Sequence, residues 1–275
     1  TSKHDLSTDG KDARTLGLLL LGAWTLLNLL QAGPTELDPD EAYYWMYARR
    51  LNWGYFDHPP AIALMIRAGV SLLPGELGVR FWVVLLQSAG FWLLWDLLGR
   101  PRGRTAILTL AALLAGMPML EVYGFIATPD SPLLFFTLFF FWAYRRFLRG
   151  ADGRAVLWLG VAMAALLYSK YHGLLLIGFT FLSNPRLALR PRFYLASGLG
   201  LALFFPHLYW QYAHDFPSFR YHLVGRDDPY ELKHTVTYLV NQLIIFNPLF
   251  LPFLARALDW RNWRTGGLER AFLFT

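Results

Sequence analysis

An acidic pair near residue 40 is the first group in this sequence whose residue types could do chemistry. Asp40 and Glu41 follow Asp38 and Pro39, a pattern in which the aspartate caps a helix and the proline takes its first position. The pair would then lie in the first helical turn, where the helix dipole favours ionised carboxylates. Such a carboxylate can act as a general base, but stabilising the helix N-terminus explains the spacing equally well.

A second group in the same segment pairs a carboxylate with an imidazole. Asp57 and His58 come directly before Pro59 and Pro60, and these prolines predict the start of another helix. The pair could orient a proton-transfer group, bind phosphate or bind a metal ion. On spacing alone, the more common explanation is that both side chains are solvated in a loop. The sequence requires no particular cofactor, and a divalent metal ion at Asp57 and His58 stays an open alternative.

Two further groups lie where apolar segments end. Asp130 precedes Ser131 and Pro132, so Ser131 is predicted to cap a helix that begins at the proline. An acid at the edge of an apolar segment usually needs a partner or a function. Lys170 could reach the membrane interface or bind a phosphate. The remaining basic residues of these groups are His172, His214, Arg220, His222 and Arg226.

The composition predicts that helices in a membrane position these groups. Hydrophobic residues make up 55% of the 275, and only 16% are charged, against about 25% in a soluble domain. An ordinary cytosolic globule and a disordered chain are thereby excluded, and the lack of cysteine excludes disulfides and thiolate metal sites. The segments predicted to cross the bilayer lie near residues 15–33, 80–99, 105–120, 132–148, 155–170, 173–184, 193–210 and 235–255, and a ninth begins at Ala271.

The basic residues predict the orientation of this single transmembrane domain, residues 1–275. Lys and Arg resist translocation, and most of them lie in the tail 1–14 and in the connections at 100–104, 145–154, 186–192 and 256–270. We therefore expect a cytoplasmic N-terminus, with the chemistry on the outer face of the membrane. The outer connections are 34–79, 121–131, 168–173 and 211–234. The positive charge reflects topology, so no nucleic-acid partner is predicted.

Five motifs occur in an order that resembles bacterial family 39-like glycosyltransferases of the GT-C superfamily, such as the protein O-mannosyltransferases and the lipid A aminoarabinose transferases. They are DPDEAYYWMYARRLNWGYFDHPP, TPDSPLLFF, LLYSKYHG, HDFPSFRYHL and QLIIFNPLFL. The resemblance runs from about residue 16 to 255 and implies an all-α, polytopic helical bundle. It places the family's first-loop acid on Asp40, with Glu41 beside it, and the second-loop acid on Asp130. Asp57 and His58 stand where the aminoarabinose branch often has Glu-Lys.

The resemblance implies a polyprenyl-phosphate sugar as donor, and a hydroxyl or phosphate of lipid A, a protein or an envelope glycan as acceptor. Such a donor carries a good leaving group, so the reaction needs a base for the acceptor and positive groups for the departing phosphate. Direct attack would invert the anomeric centre. Asp40 is predicted as the base, with Glu41 and Asp130 as the other catalytic acids. The predicted substrate-binding residues are Tyr43, Asp57, His58, Lys170, His172, Arg220 and Arg226.

Two other classes of function stay open. A lipid or sugar transporter would place ionisable residues in mid-span and on both faces, whereas here they concentrate on one face. A non-catalytic subunit that binds a polyprenyl lipid would use the same residues without transfer. Members of the family usually continue through several more helices, so the C-terminal part of the family architecture is expected to be missing from these 275 residues.

Overall fold

The computed structural model describes residues 3–223 and 231–245, and within these ranges every regular element is a helix. The predicted all-α fold is therefore confirmed. A short 3₁₀ helix spans Pro185–Leu189. The α-helices are α1 (Lys3–Ala32), α2 (Pro39–Ala48), α3 (Ala61–Val70), α4 (Gly75–Leu97), α5 (Arg104–Ala115), α6 (Pro118–Tyr123), α7 (Asp130–Arg149), α8 (Gly153–Ser169), α9 (Gly173–Ser183), α10 (Pro191–Ala213), α11 (Pro217–Leu223) and α12 (Leu232–Ile245).

Length and apolar composition single out two described helices as candidate membrane spans. They are the Ala13–Ala32 part of α1 and the whole of α4, while α3, α5, α8 and α9 are apolar but shorter. The surface of α1 is rich in exposed leucines, a surface that suits lipid better than water. The exposed leucines of α1 are Leu18, Leu19, Leu26, Leu27 and Leu30.

Helices α7, α8 and α10 enclose the main hydrophobic core. Glycines bring α8 and α10 close together, because a Cβ at Gly160 would lie 2.8 Å from the carbonyl oxygen of Ala196. Small residues at such a crossing are typical of helix pairs in membranes. The large buried side chains of this core are Phe140, Phe141, Tyr144, Phe147, Leu159 and Leu166.

Helices α2 and α3 lie in the segment between α1 and α4, and both begin where the sequence predicts. The Asp38 side chain accepts the N–H of Asp40, and the Glu41 side chain accepts the N–H of Asp38, which together form a capping box. Helix α3 begins directly after Pro60. A second buried cluster, which includes Tyr44, Ile62, Ile66 and Val79, packs α2 and α3 against α4. We call the end of the bundle that carries α2 the α2 face.

The structure corrects one predicted helix start and alters another. Ser131 does not cap α7, because α7 begins at Asp130 and the Ser131 hydroxyl donates to the carbonyl oxygen of Ile126. Helix α1 begins at Lys3, so helical backbone extends into the predicted tail. The end of the predicted segment 235–255 and the start at Ala271 lie outside the described residues.

Gly54, in the connection between α2 and α3, lies against Trp210 of α10 with no space for a side chain. A Cβ at residue 54 would lie 2.3 Å from Trp210 Cε3. Gly54→Ala is therefore expected to lower the free energy of unfolding by about 1–3 kcal/mol, measured as a fall in unfolding temperature in detergent. Gly22→Ala is the control, because a Cβ there would meet nothing within 4 Å. Equal unfolding temperatures for the two variants would contradict this prediction.

Candidate active site

The Glu41 carboxylate is buried at the base of the site and bound on both oxygens. The side chains of Glu41 and Arg80 are 0% and 1% exposed. Arg80 Nε donates to Glu41 Oε1 at 2.8 Å, and Arg80 Nη2 donates to Oε2 at 2.5 Å. The N–H of Ala127 donates to Oε1 at 2.8 Å. The pair thus joins α2, α4 and the turn before α7. The guanidinium also donates to the carbonyl oxygens of Ala32, Thr35 and Glu36.

The carboxylate of Asp40, one residue earlier, contrasts with the buried and bound carboxylate of Glu41. Its side chain is exposed, and among residues 3–223 and 231–245 no hydrogen bond or ion pair engages its carboxylate. Burial, followed by the negative charges of Asp57, Asp40 and Asp130, raises the pKa of Tyr44. The negative charges of three separate segments therefore act on one tyrosine of α2, and among the described residues the Asp40 carboxylate has no partner.

Asp57 is held by two tyrosines of α2 and by its neighbour. Tyr47 Oη donates to Asp57 Oδ1 at 2.8 Å and Tyr43 Oη donates to the same oxygen at 3.2 Å. His58 Nδ1 lies 2.9 Å from Asp57 Oδ2. Burial alone would raise the pKa of Asp57, but the His58 contact and the two hydroxyl donors outweigh it, and the pKa is lowered. Asp57 is therefore ionised at neutral pH. His222 Nε2 lies 3.0 Å from the Asp57 carbonyl oxygen.

Lys170 and Asp130 form an ion pair across the start of α7 and the end of α8. Lys170 Nζ donates to both Asp130 oxygens at 2.8 Å. The two side chains stay 21% and 31% exposed, so a ligand can reach the pair. His172 is close by: burial, and then the charge of Lys170, lowers the pKa of its imidazole. His172 is consequently neutral at pH 7.

Among the residues that the structure describes, the Asp57 and His58 pair gains no further metal ligand. Within the described ranges no group of three or more His, Asp or Glu side chains is arranged to hold a metal ion. The prediction of a divalent ion at this pair therefore stays untested. Arg220 of α11 is exposed, and only its backbone N–H has a described bond, to the Phe216 carbonyl oxygen. Arg226 lies outside the described residues.

A buried polar network behind the site was not predicted. His207 of α10 is fully buried, with Nδ1 2.7 Å from the Trp53 carbonyl oxygen and Nε2 3.0 Å from Tyr171 Oη. Gln211 donates to the same tyrosine hydroxyl at 3.0 Å. A signal was present in the sequence, because His207 and Gln211 are polar residues one turn apart in an apolar helix, where such residues usually have a function.

A second branch of this network reaches α11. Gln211 Nε2 also donates to Ser218 Oγ at 2.7 Å, and Ser218 Oγ donates to the Tyr55 carbonyl oxygen at 2.8 Å. Tyr55 in turn stacks on Tyr47, with ring centroids 4.1 Å apart. The network therefore connects α10 and α11 to the tyrosine that holds Asp57.

Comparison with known proteins identifies the family of the chain. Residues 57–210, more than half of the chain, match the family described as dolichyl-phosphate-mannose-protein mannosyltransferase. A curated relative, the lipid A galacturonosyltransferase RgtD of Rhizobium johnstonii, is 26% identical over 216 residues, which cover 74% of this chain and 45% of the relative. The chain thus spans less than half the length of that relative.

A solved structure shares the fold over nearly the whole chain. The crystal structure of ArnT from Cupriavidus metallidurans in the apo state superposes with a TM-score of 0.66 at 17% sequence identity. The match covers 94% of this chain and 58% of ArnT. At this identity the likeness establishes the fold, which is that of the GT-C membrane proteins expected from the motif order.

Proposed function

Since the chain belongs to the family of dolichyl-phosphate-mannose-protein mannosyltransferases, we propose that it is a membrane glycosyltransferase that transfers a sugar from a polyprenyl-phosphate donor. The observation that carries the proposal is a carboxylate without a described partner, Asp40, together with a partly exposed ion pair, Lys170 and Asp130, where the charges of both acids act on Tyr44. Such a site offers a proton acceptor and a cation, the two groups that this transfer requires.

In the proposed reaction an acceptor oxygen attacks the anomeric carbon of the donor sugar. Asp40 takes the proton of the acceptor hydroxyl while the new carbon–oxygen bond forms. The bond from the anomeric carbon to the phosphate oxygen breaks, and its electron pair leaves with polyprenyl phosphate. Lys170 stabilises this departing charge by exchanging part of its interaction with Asp130 for the phosphate. Attack from the face opposite the leaving group inverts the anomeric centre.

The remaining predicted residues are proposed to bind substrate around this centre. Asp57 is ionised and fixed by Tyr43 and Tyr47, so it is suited to accept hydrogen bonds from sugar hydroxyls. His58 and His172 border the same region. Arg220 is proposed as a further phosphate ligand. Glu41 has a structural role in this proposal, because both of its oxygens are already bound.

Lipid A is the acceptor that we propose first. The relative RgtD supports it, since that protein is a lipid A galacturonosyltransferase. A direct test incubates the purified protein with polyprenyl-phosphate sugars and lipid A, and follows the mass of lipid A by mass spectrometry. A mass increase of one sugar residue, absent without donor, is expected. If donors of several sugar types bind and none is consumed with any lipid, protein or glycan acceptor, the non-catalytic alternative gains support.

Lys170→Met is expected to weaken donor binding more than the rate at saturating donor. The substitution keeps the length of the side chain but removes the charge that faces the phosphate. We expect KM for the donor to rise about tenfold or more, with kcat recovering in part at high donor concentration, in a transfer assay that varies the donor. Lys233→Met is the control, because Lys233 is 70% exposed and pairs with Glu231. An unchanged donor KM in Lys170→Met would contradict the phosphate role.

We also propose that the α2 face lies on the outer side of the membrane. Reporter fusions after Arg102, Arg149 and Arg190 are then expected to report the cytoplasm, because these positions lie in basic connections. Fusions near Asp57 and Ser131 are expected to report the outside. A cytoplasmic signal near Asp57 would place the site on the wrong side for an outer-face reaction.

A further inference from the structure

Helix α2 carries a second polar surface, on the side away from the candidate active site. At 100° per residue, Asp40, Tyr43 and Tyr47 share one side of the helix, while Trp45 and Arg49 lie on the opposite side. The buried residues of α2 lie between these two sides. Trp45 and Arg49 border an open pocket of about 470 Å³, whose other walls are formed by α3 and the start of α4. The other residues that line it are Leu37, Ala48, Arg67, Val70, Pro74, Gly75, Glu76 and Val79.

The two arginines of this pocket differ from Arg80 and Lys170, the paired cations of the α2 face. Arg80 is bound to Glu41 and Lys170 is bound to Asp130. Arg49 and Arg67 are exposed, and within residues 3–223 and 231–245 neither forms an ion pair. Two arginines without a described ion pair therefore line one concave site.

The residues around the two arginines indicate which class of ligand the pocket could bind. The Arg49 guanidinium lies 5.2 Å from the centre of the Trp45 ring, a cation–π contact that fixes its position. Glu76 is the single acid that lines the pocket, so the lining keeps a net positive charge. Apolar side chains form the rest of the wall, and nearby Leu64 and Leu72 are exposed. This combination of cations with an apolar flank is suited to a lipid with an anionic head.

We propose that this pocket binds the phosphate of a lipid headgroup from the adjacent membrane leaflet, at a site separate from the sugar-transfer centre. Guanidinium groups bind phosphate oxygens with paired hydrogen bonds. The pocket volume falls in the range of about 300–1,000 Å³ typical of ligand sites. Glu76 is placed to accept a hydrogen bond from a headgroup hydroxyl. The site does not depend on the proposed transfer reaction, because none of the residues assigned to that reaction lines it.

The experiment measures the Kd of dihexanoyl phosphatidic acid for the purified chain in neutral detergent, without donor or acceptor. Arg49→Gln and Arg67→Gln are each expected to raise this Kd about tenfold or more. Arg50→Gln is the matched control, since Arg50 is an exposed neighbour that does not line the pocket, and its Kd should stay within about twofold of wild type. Dihexanoyl phosphatidylcholine tests whether a zwitterionic head suffices, and sodium phosphate tests the anion alone.

Three results would overturn the proposal. They are an unchanged Kd in both pocket variants, an equal loss in Arg50→Gln, and inorganic phosphate that binds as tightly as the phosphatidate. The first two would assign binding to general surface charge, and the third would reduce the site to a simple anion site. Both arginines are exposed, so the variants are expected to fold, and an unchanged unfolding temperature without ligand checks this. Loss of phosphatidate binding with sugar transfer retained would separate this site from the proposed function.

Discussion

Asp40→Asn is expected to lower the rate of sugar transfer by about 10²–10⁴-fold, the usual cost of losing a general base. The amide keeps the shape of the side chain but has a far weaker proton acceptor. The capping box should survive, because its bond to residue 40 uses the backbone N–H. Donor binding, measured separately, is expected to stay within about twofold of wild type, which distinguishes a catalytic loss from a folding defect.

The control for Asp40→Asn is Asp152→Asn at the other end of the bundle. Asp152 caps α8 by accepting the N–H of Ala155, and asparagine is an equally good cap. This variant should transfer sugar at the wild-type rate. Full activity in Asp40→Asn would contradict the proposed base. Asp57 would then be the next candidate for the general base. Loss of transfer with donor binding retained would exclude the alternative of a non-catalytic lipid-binding subunit.

Glu41→Gln is expected to cost about 3–5 kcal/mol of stability, because removing one partner leaves the other charge buried and unpaired. The guanidinium of Arg80 would then stay buried without its partner, since this side chain is 1% exposed. The measurement is the unfolding temperature in detergent, or the folded yield if the variant does not accumulate. Replacing both residues, as Glu41→Gln with Arg80→Met, should recover part of the loss, since no uncompensated charge remains.

Glu36→Gln is the control for the buried pair, because the Glu36 side chain is exposed and only its carbonyl oxygen accepts from Arg80. Its unfolding temperature should match that of wild type within the usual scatter of surface substitutions. If Glu41→Gln unfolds at the same temperature as Glu36→Gln, the pair does not stabilise the fold, and a direct role of Glu41 in transfer would again need to be considered.

Local sequence signals predicted the elements that carry the site. Asp38 and Pro39 predict the start of α2, and Pro60 predicts that of α3, because caps and prolines act within one helical turn. The Ser131 cap was wrong, because a serine before a proline could cap equally well or lie inside the first turn, as it does here. Only the path of the preceding turn, where Ser131 bonds to Ile126, decides between them.

These local signals could not predict contacts between residues that are far apart in the sequence. Glu41 and Arg80 are 39 residues apart, and nothing in their spacing distinguishes a bound acid from the free acid beside it. The sequence thus named Asp40 and Glu41 as a pair, whereas the fold separates them into an exposed and a buried carboxylate. The grouping of Asp57, Asp130 and Lys170 on one face was expected from the alternation of spans, but the ion pair of Asp130 with Lys170 was not.

Two hydrogen bonds behind the site can form only after much of the chain has been synthesised. The carbonyl oxygens of Trp53 and Tyr55 find their partners on His207 and Ser218, which are 154 and 163 residues later in the chain. At a translation rate of about 5–20 residues per second, the connection between α2 and α3 waits on the order of ten seconds before these partners are made. During that interval the two carbonyl oxygens lack the partners that they have in the folded chain, although Tyr55 can already stack on Tyr47 of α2. A factor that holds this segment through those two carbonyl oxygens would therefore act before α10 and α11 are made, and would lose both contacts afterwards.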